Sequence, residues 1–445
     1  MLDSFFNAFF IQLDSIDDAI WSYIAVPAIL LFGIYFSCKS GWFQITQFGK
    51  ISTIFFKFLE PHKKTERRGI HPLKAFFAAI GGCIGIGNII SVCTAVQIGG
   101  PGAIFWMWVA ALLGMIVKYS EIYLGVKYRV DRGKYGYSGG PMYYLKKVDR
   151  SGFLSKFFCL IMCIYGVEIY MFRIMTHSMV TGWGWNQNLV IAGLLIAILF
   201  AGKHGIETVG KVSSTLIPIF LVAFTGVSCW VFAHNLAGIG QAFKLIFSSA
   251  FTGHAAIGAF AGSGLLLTMS HGMKRAFYTG DIGVGYASII HAESAEANPQ
   301  KQAALGIFGI FLDTFVICTL SVLLIVVTGL WNQGIHEDII VAQALSEYIP
   351  HVNLIWPFFV FLLGYSSLIA FFAVGKKSAQ FLWPKHGAIG YNIYAVVAFL
   401  LFSFVGSEAH ILTVMSFTGA LLFLLNTYGL LRLRNHISFS LRNNN

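Results

Sequence analysis

Long apolar stretches separated by short polar connections make up almost the whole chain. A helix needs about 20 apolar residues to cross a hydrocarbon core. By that measure spans fall near 19–38, 74–98, 102–126, 153–180, 188–202, 211–234, 251–272, 303–330, 354–375, 388–405 and 411–430. The pattern predicts an all-α integral membrane protein with about eleven transmembrane helices. Between the first two spans, Gly41 to Leu59 mixes Phe and Ile with Lys, as an amphipathic helix lying at the membrane surface does.

Lys and Arg set the orientation, because they are retained on the cytoplasmic side. Connections 39–73 and 127–150 hold seven each, 203–211 holds two, and 273–302, 376–385 and the tail after Leu431 hold three each. The alternate connections 99–101, 181–187, 331–353 and 406–410 hold none, and 235–250 has Lys244 alone. The N-terminus is therefore expected outside and the C-terminus in the cytoplasm, in a bacterial-type plasma (inner) membrane. Setting the first span aside leaves two sets of five, 74–234 and 251–430. Residues 1–73 supply an N-terminal helix and the amphipathic segment, and 431–445 form a cytoplasmic tail. An odd number of spans makes the second set start on the opposite side of the membrane, which is the topology of an inverted repeat.

Composition agrees and removes other classes. The chain is 57% hydrophobic and 11% charged, whereas soluble domains carry about a quarter charged residues. A soluble two-domain enzyme is excluded. The net charge of +11 sits in clusters between apolar stretches and points to a lipid surface, not to nucleic acid. The seven cysteines form no CxxC pair and read as small hydrophobes in apolar segments. Asp3, Asp14, Asp17 and Asp18 precede the first span with no Lys or Arg, the opposite of a cleavable signal, so that span is expected to stay.

Candidate chemistry lies inside the spans. The second contains Gly81-Gly82-Cys83-Ile84-Gly85-Ile86-Gly87-Asn88. Such a glycine cluster has two readings: close helix packing through small residues, or a helix that unwinds near the midplane. Unwinding frees carbonyls for a cation and points a half-helix N-terminus at a carboxylate. The span expected at 251–272 has a similar cluster around Phe260-Ala261-Gly262-Ser263-Gly264, where a second break is expected. Coincident clusters in the two halves favour a binding site. In that site a carboxylate would meet amides near Gly85 to Asn88, and an ammonium would meet oxygens of Phe260 to Ser263. Charged residues within spans are functional candidates by default, and Asp313 and Glu168 stand well inside theirs. Lys118 and Glu121, three apart near a cytoplasmic end, form a pair expected to snorkel outward. His177, His254 and His271 fall on separate stretches, and no HExxH or clustered ligand set is present. No enzymatic activity and no cofactor are expected.

At these residues the chain resembles the alanine/glycine:cation symporters, also called sodium:alanine symporters. The likeness rests on Gly99-Gly100-Pro101-Gly102-Ala103-Ile104-Phe105-Trp106-Met107-Trp108-Val109, Gly114-Met115, Lys118-Tyr119-Ser120-Glu121, Gly139-Gly140-Pro141-Met142-Tyr143-Tyr144, Phe311-Leu312-Asp313-Thr314 and Cys318-Thr319. It runs from the second span almost to the C-terminus. The resemblance implies a leucine-transporter-like fold, one extra N-terminal helix ahead of a five-plus-five inverted repeat, and sodium-coupled alternating access. Alanine, glycine or a relative, L or D, is the implied cargo. By the same likeness Gly85, Gly87 and Asn88 would hold the substrate, with Phe260, Gly262 and Ser263 opposite. Carbonyls of Gly81 and Ile84 with hydroxyls of Ser366 and Ser367 would hold sodium. Tyr170 stands where the family usually has a polar amide and is the expected pocket wall.

The chain departs from the family pattern at Arg275-Ala276-Phe277-Tyr278-Thr279-Gly280-Asp281-Ile282-Gly283, at Tyr165-Gly166-Val167-Glu168-Ile169-Tyr170 and at Gly375-Lys376. Two alternatives therefore stay open beside sodium symport: a proton-coupled carrier of a different small solute using Asp313 or Glu168, and a transport-inactive sensor on the same scaffold. Amino acid, sodium and membrane lipid are the expected partners.

The charge alternation yields a direct expectation. A cysteine placed at Asn186 or Asn332 should react with an impermeant maleimide added to intact cells, above the background of the unsubstituted protein. One placed at Lys146 or Lys377 should react only after permeabilisation. Labelling at Lys146 from outside would invert the topology.

Overall fold

A computed structural model describes residues 2–60, 68–133, 136–203, 205–252, 261–404 and 408–441. The chain opens with α1 (Phe9–Lys39). The expected surface helix follows as α2 (Phe48–Leu59), which buries Ile51 and Phe55 and leaves Lys50 and Lys57 exposed. Phe55 stacks on Phe308 with ring centroids 4.3 Å apart. The second span is split into α3 (Pro72–Cys83) and α4 (Ile86–Gly99), bent by 58°. Pro72 starts α3 at a position where its missing N–H costs nothing, and the His71 ring accepts from the Leu73 amide at 3.3 Å.

Next come α5 (Ala103–Lys127), the short α6 (Pro141–Val148), α7 (Phe153–Trp183), α8 (Gln187–Lys203), α9 (Ile206–His234) and α10 (Leu236–Thr252). A two-stranded ribbon, Val130–Asp131 with Tyr137–Ser138, lies between α5 and α6. The second half contains α11 (Ala261–Gly280), α12 (Tyr286–His291), α13 (Pro299–Val327), α14 (Ile340–Ser346), α15 (Val352–Leu382), α16 (Gly387–Phe404) and α17 (His410–Arg432). Asn298 caps α13, its side chain accepting from the amides of Gln300 and Lys301 at 2.9 and 3.2 Å.

Among the described residues, eight helices are long and apolar enough to cross a membrane, nine if the bent pair α3–α4 crosses as one. α8 is apolar but shorter, with 17 residues. Hydropathy thus locates ten of the expected segments. The eleventh differs. Residues 236–252, expected as an outer connection, are the helix α10, and the helix expected at 251–272 is displaced to α11 at Ala261–Gly280. Phe260 lies outside the described residues, as do the side chains of Gly262 and Ser263. The backbone from Ala261 onward is helical, so the second break does not extend over 261–264. The chain unwinds instead after Gly280, where Asp281, Gly283 and Gly285 take φ values of 45°, 74° and 89°.

The centre is built on α5, which packs along both α11 and α13, while α3 packs on α9 and α15. α15 also runs against α7 and α16. α1 lies outside this core, against α5 and α17, and is held at one end by Lys274, whose ammonium stands 3.3 Å from Asp17 and 2.9 Å from Asp18. All seven cysteines are free.

Backbones approach closely where glycine allows it. A Cβ on Gly102 would lie 2.3 Å from the Ala250 nitrogen and 2.5 Å from its Cα, whereas one on Gly193 would meet nothing within 4 Å. Gly102→Ala should therefore destabilise the α5–α10 contact by about 1–3 kcal/mol, the usual penalty of overpacking. Gly193→Ala should be neutral or slightly stabilising. Thermal melting in detergent checks both, and equal melting temperatures would count against the observed packing.

Candidate functional site

Four glycines in seven positions remove the side chains that would hold α3 and α4 in one helix, and the ladder stops at Ile84-Gly85. Side chains replace it. The Gly85 amide donates to Asn88 Oδ1 at 2.9 Å, and the Gly81 carbonyl accepts from Ser367 Oγ at 2.8 Å. Ser366 Oγ lies 2.8 Å from Ser213 Oγ, and a Cβ on Gly81 would come within 2.3 Å of Ser366 Oγ and 2.7 Å of Ser213 Oγ. Gly81, Ser366 and Ser367 thus converge, with the buried Ile84 at the end of α3. Ser213 on α9 is a fourth polar member that the sequence reading missed.

On the other side, Asn88 Nδ2 donates to Asp313 Oδ1 at 2.5 Å and approaches Cys318 Sγ at 3.3 Å. Asp313 Oδ2 also accepts from Thr314 Oγ1 at 2.9 Å. Asp313 stands on a π-helical stretch, Phe311–Cys318, a wider turn that is frequent at functional positions.

The second break faces the first. Cys83 Sγ lies 3.6 Å from the Gly280 carbonyl, and a Cβ on Gly87 would meet only Thr279 Cγ2, at 3.6 Å. At 1.5 Å per residue, Ser263 stands about 25 Å along α11 from Gly280. Gly262 and Ser263 are therefore not brought together with Gly85, Gly87 and Asn88; Thr279 and Gly280 are.

Charged side chains hold this second break open. Lys118 Nζ donates to the carbonyls of Gly280 and Asp281 at 3.0 and 2.9 Å and lies 3.5 Å from Glu121 Oε1. Glu121 Oε2 accepts from the Gly285 amide and from Asn426 Nδ2, each at 3.0 Å. Asn426 Nδ2 also donates to the Gly283 carbonyl at 2.7 Å, and Tyr165 Oη donates to Asp281 Oδ1 at 2.8 Å. Lys118 and Glu121 do pair, but they do not snorkel: they are 3% and 0% exposed. Their three-residue spacing revealed the pair; the carbonyls that hold it inside belong to a distant segment and left no local signal.

α7 is interrupted as well, between Tyr165 and Ile169, with Glu168 at φ 49°. Tyr170, buried at the start of the second half of α7, precedes Met171, whose Cε would lie 3.0 Å from a Cβ on Gly85. The neighbour of the expected wall residue, Met171, is thus the α7 side chain that meets the first break.

The site combines two facing unwound helices, buried carboxylates and paired hydroxyls at one depth between long apolar helices. Such a set can strip water from a small polar solute and a cation and replace it with protein oxygens. The pattern of the sodium:alanine symporter family matches residues 7–444. The chain belongs to that family. Among its relatives, the sodium/alanine symporter AgcS of Methanococcus maripaludis is 30% identical over 408 residues, 89% of this chain and 88% of that one. YflA of Bacillus subtilis (strain 168), named an uncharacterized transporter, is 31% identical over 391 residues, 84% of this chain and 81% of its own. A solved Na+-coupled sialic acid symporter, substrate-bound and outward-open, matches with a TM-score of 0.54 at 12% identity, over 95% of this chain and 86% of its own. That likeness establishes a shared fold. As a sodium:alanine symporter family member with these apolar helices, the chain is a multi-pass membrane transporter.

Asn88 links the two sides of the first break, so its loss should be felt in stability. Asn88→Ala removes the acceptor for Gly85 and a donor to Asp313, each worth about 1–3 kcal/mol when its partner stays buried. Thr314→Val removes one donor to Asp313 and should cost less. Melting temperatures in detergent, ordered wild type, Thr314→Val, Asn88→Ala, are the expected result; an Asn88→Ala protein as stable as wild type would contradict it.

Proposed function

We propose that the chain is a secondary active carrier that imports a small amino acid, alanine, glycine or a relative in L or D form, by symport with sodium through alternating access. The observation that carries this reading is the contact of two broken helices, Cys83 and Gly87 against Thr279 and Gly280, in a sodium:alanine symporter family member. The substrate would lie between them, beside Gly85, Gly87, Asn88 and Tyr170. Sodium would take the carbonyls of Gly81 and Ile84 with the hydroxyls of Ser366 and Ser367, an all-oxygen set suited to a small hard cation.

The same reading counts eleven spans. α1 is the extra helix; α3–α4, α5, α7, α8 and α9 make the first five, and α11, α13, α15, α16 and α17 the second. Each set then opens with a broken helix, at Ile84-Gly85 and at Asp281 to Gly285, which supports an inverted repeat. The N-terminus would face outward and the C-terminus the cytoplasm.

Uptake of labelled alanine and glycine into proteoliposomes, with and without a sodium gradient, tests the proposal. Uptake should require sodium, and Ser366→Ala or Ser367→Ala should raise the sodium needed for half-maximal uptake about tenfold, the effect of losing about 1.4 kcal/mol of binding. Full uptake in sodium-free buffer under a pH gradient would replace sodium with proton coupling through Asp313 or Glu168. No exchange of any amino acid, by a folded protein, would favour a sensor.

A further inference from the structure

Four carboxyl groups are buried around the breaks, those of Glu121, Glu168, Asp281 and Asp313, and the ammonium of Lys118 is buried with them. Three of the four have donors. Glu121 has Lys118, Gly285 and Asn426; Asp313 has Asn88 and Thr314; Asp281 has Tyr165. Glu168 differs. It is 1% exposed, its Oε2 accepts no hydrogen bond among the described residues, and Asp281 bears on it as a like charge. An ionised carboxyl in that condition needs a cation from somewhere.

Its position says from where. One turn before it, Tyr165 reaches Asp281 at the second break; one turn after it, Met171 lies against Gly85 at the first. Glu168 is therefore set between the two breaks. Tyr278 is within electrostatic reach of both Glu168 and Asp281, and its buried hydroxyl has no partner among the described residues. Tyr278 also lines a cavity of about 450 Å³ between α1, α11 and α17, together with Asp14, Asp17, Lys274 and Arg275. Lys274 is already taken up by Asp17 and Asp18, and Arg275 lies 5.9 Å from the Tyr278 ring centre. Tyr278 thus stands both at this cavity and within electrostatic reach of Glu168, the one carboxyl of the four that has no donor among the described residues.

We propose that Glu168 is the anionic seat for the ammonium group of the cargo, with the Tyr278 hydroxyl as a second acceptor beside it. This rests on reading the chain as an amino acid carrier, and it moves the ammonium partner from the expected Phe260 to Ser263 onto α7. Recognition by charge has a chemical consequence. An amine whose carboxylate has been neutralised still docks, and a carboxylate without an amine does not.

Calorimetry on the purified full chain in sodium-containing detergent buffer tests this with L-alanine, glycine, L-alaninamide and propionate. Wild type should bind the three amines and not propionate. Glu168→Gln should weaken all three about tenfold or more, as truncating one partner of a buried charged pair does, at an unchanged melting temperature. Glu168→Asp should recover part of the loss, and Tyr278→Phe should weaken the amines about threefold, roughly half that free-energy effect. Wild-type affinity in folded Glu168→Gln overturns the assignment, as does the absence of amine binding by wild type. If Glu168→Gln does not fold, wild-type affinity in both Glu168→Asp and Tyr278→Phe overturns it. Counterflow in proteoliposomes separates the two proposals. Glu168-dependent binding without exchange ends the carrier reading and leaves the seat; alanine exchange by Glu168→Gln at the wild-type rate and affinity ends the seat and leaves the carrier.

Discussion

Hydrocarbon offers no partner to a peptide N–H or C=O, so a chain that gives up its helical ladder at that depth must supply the replacements itself. Two of the interrupted helices do so here, where they touch. The side chains gathered around them follow from that constraint. Ser367 meets Gly81, Asn88 meets Gly85, Lys118 meets Gly280 and Asp281, Glu121 meets Gly285 and Asn426 meets Gly283. Five buried polar side chains of the core are thereby committed to the repair of these two short segments.

The two repairs differ in kind. The first break is patched by neutral groups from α4 itself and from α15, and such bonds contribute about 0.5–1.5 kcal/mol each. The second is patched by an ion pair on α5 and an amide on α17, and bonds to charged groups are worth about 1.5–3 kcal/mol. α5 also packs against several neighbours, with contacts to α11, α13 and α1. A shift of α15 against α3 therefore breaks weak bonds, while a shift of α11 against α5 breaks strong ones. The softer seam runs past Ser366 and Ser367, the side on which sodium is proposed to bind.

Much of this was legible in the sequence for a simple reason. Lipid imposes length and apolarity on each span, so hydropathy found the helices, and four clustered glycines marked the first break. Glycine count is a poor signal for the second break. Residues 262–264 look as permissive as 85–87, yet they sit in a continuous helix. The observed break opens at Asp281, a residue that takes a left-handed φ at a cost of about 1–2 kcal/mol, and what holds it there is Lys118, more than 160 residues earlier. Bonds across that separation leave no periodicity. Tyr278, Thr279 and Asp281 were visible only as departures from the family pattern; the first two lie at the end of α11 and Asp281 opens the unwound segment.

Glu168 and Asp281 share an unusual circumstance. Both are acidic, both are buried, and both adopt positive φ, at 49° and 45°, where their helices stop. Positive φ in a residue other than glycine persists only when the surroundings over-determine it, and such positions cluster where a chain binds something. For Asp281 the surroundings are plain, since Lys118 and Tyr165 grip its carbonyl and its carboxyl. For Glu168 no comparable grip accompanies the strain, and its carboxyl lies beside a like charge. A residue that is strained, desolvated and repelled at once is unfavourable in the empty protein. If Glu168 is the seat proposed above and is ionised, a cation arriving between the breaks would relieve two of those three terms together, and its binding would be more favourable than its own contacts alone would account for.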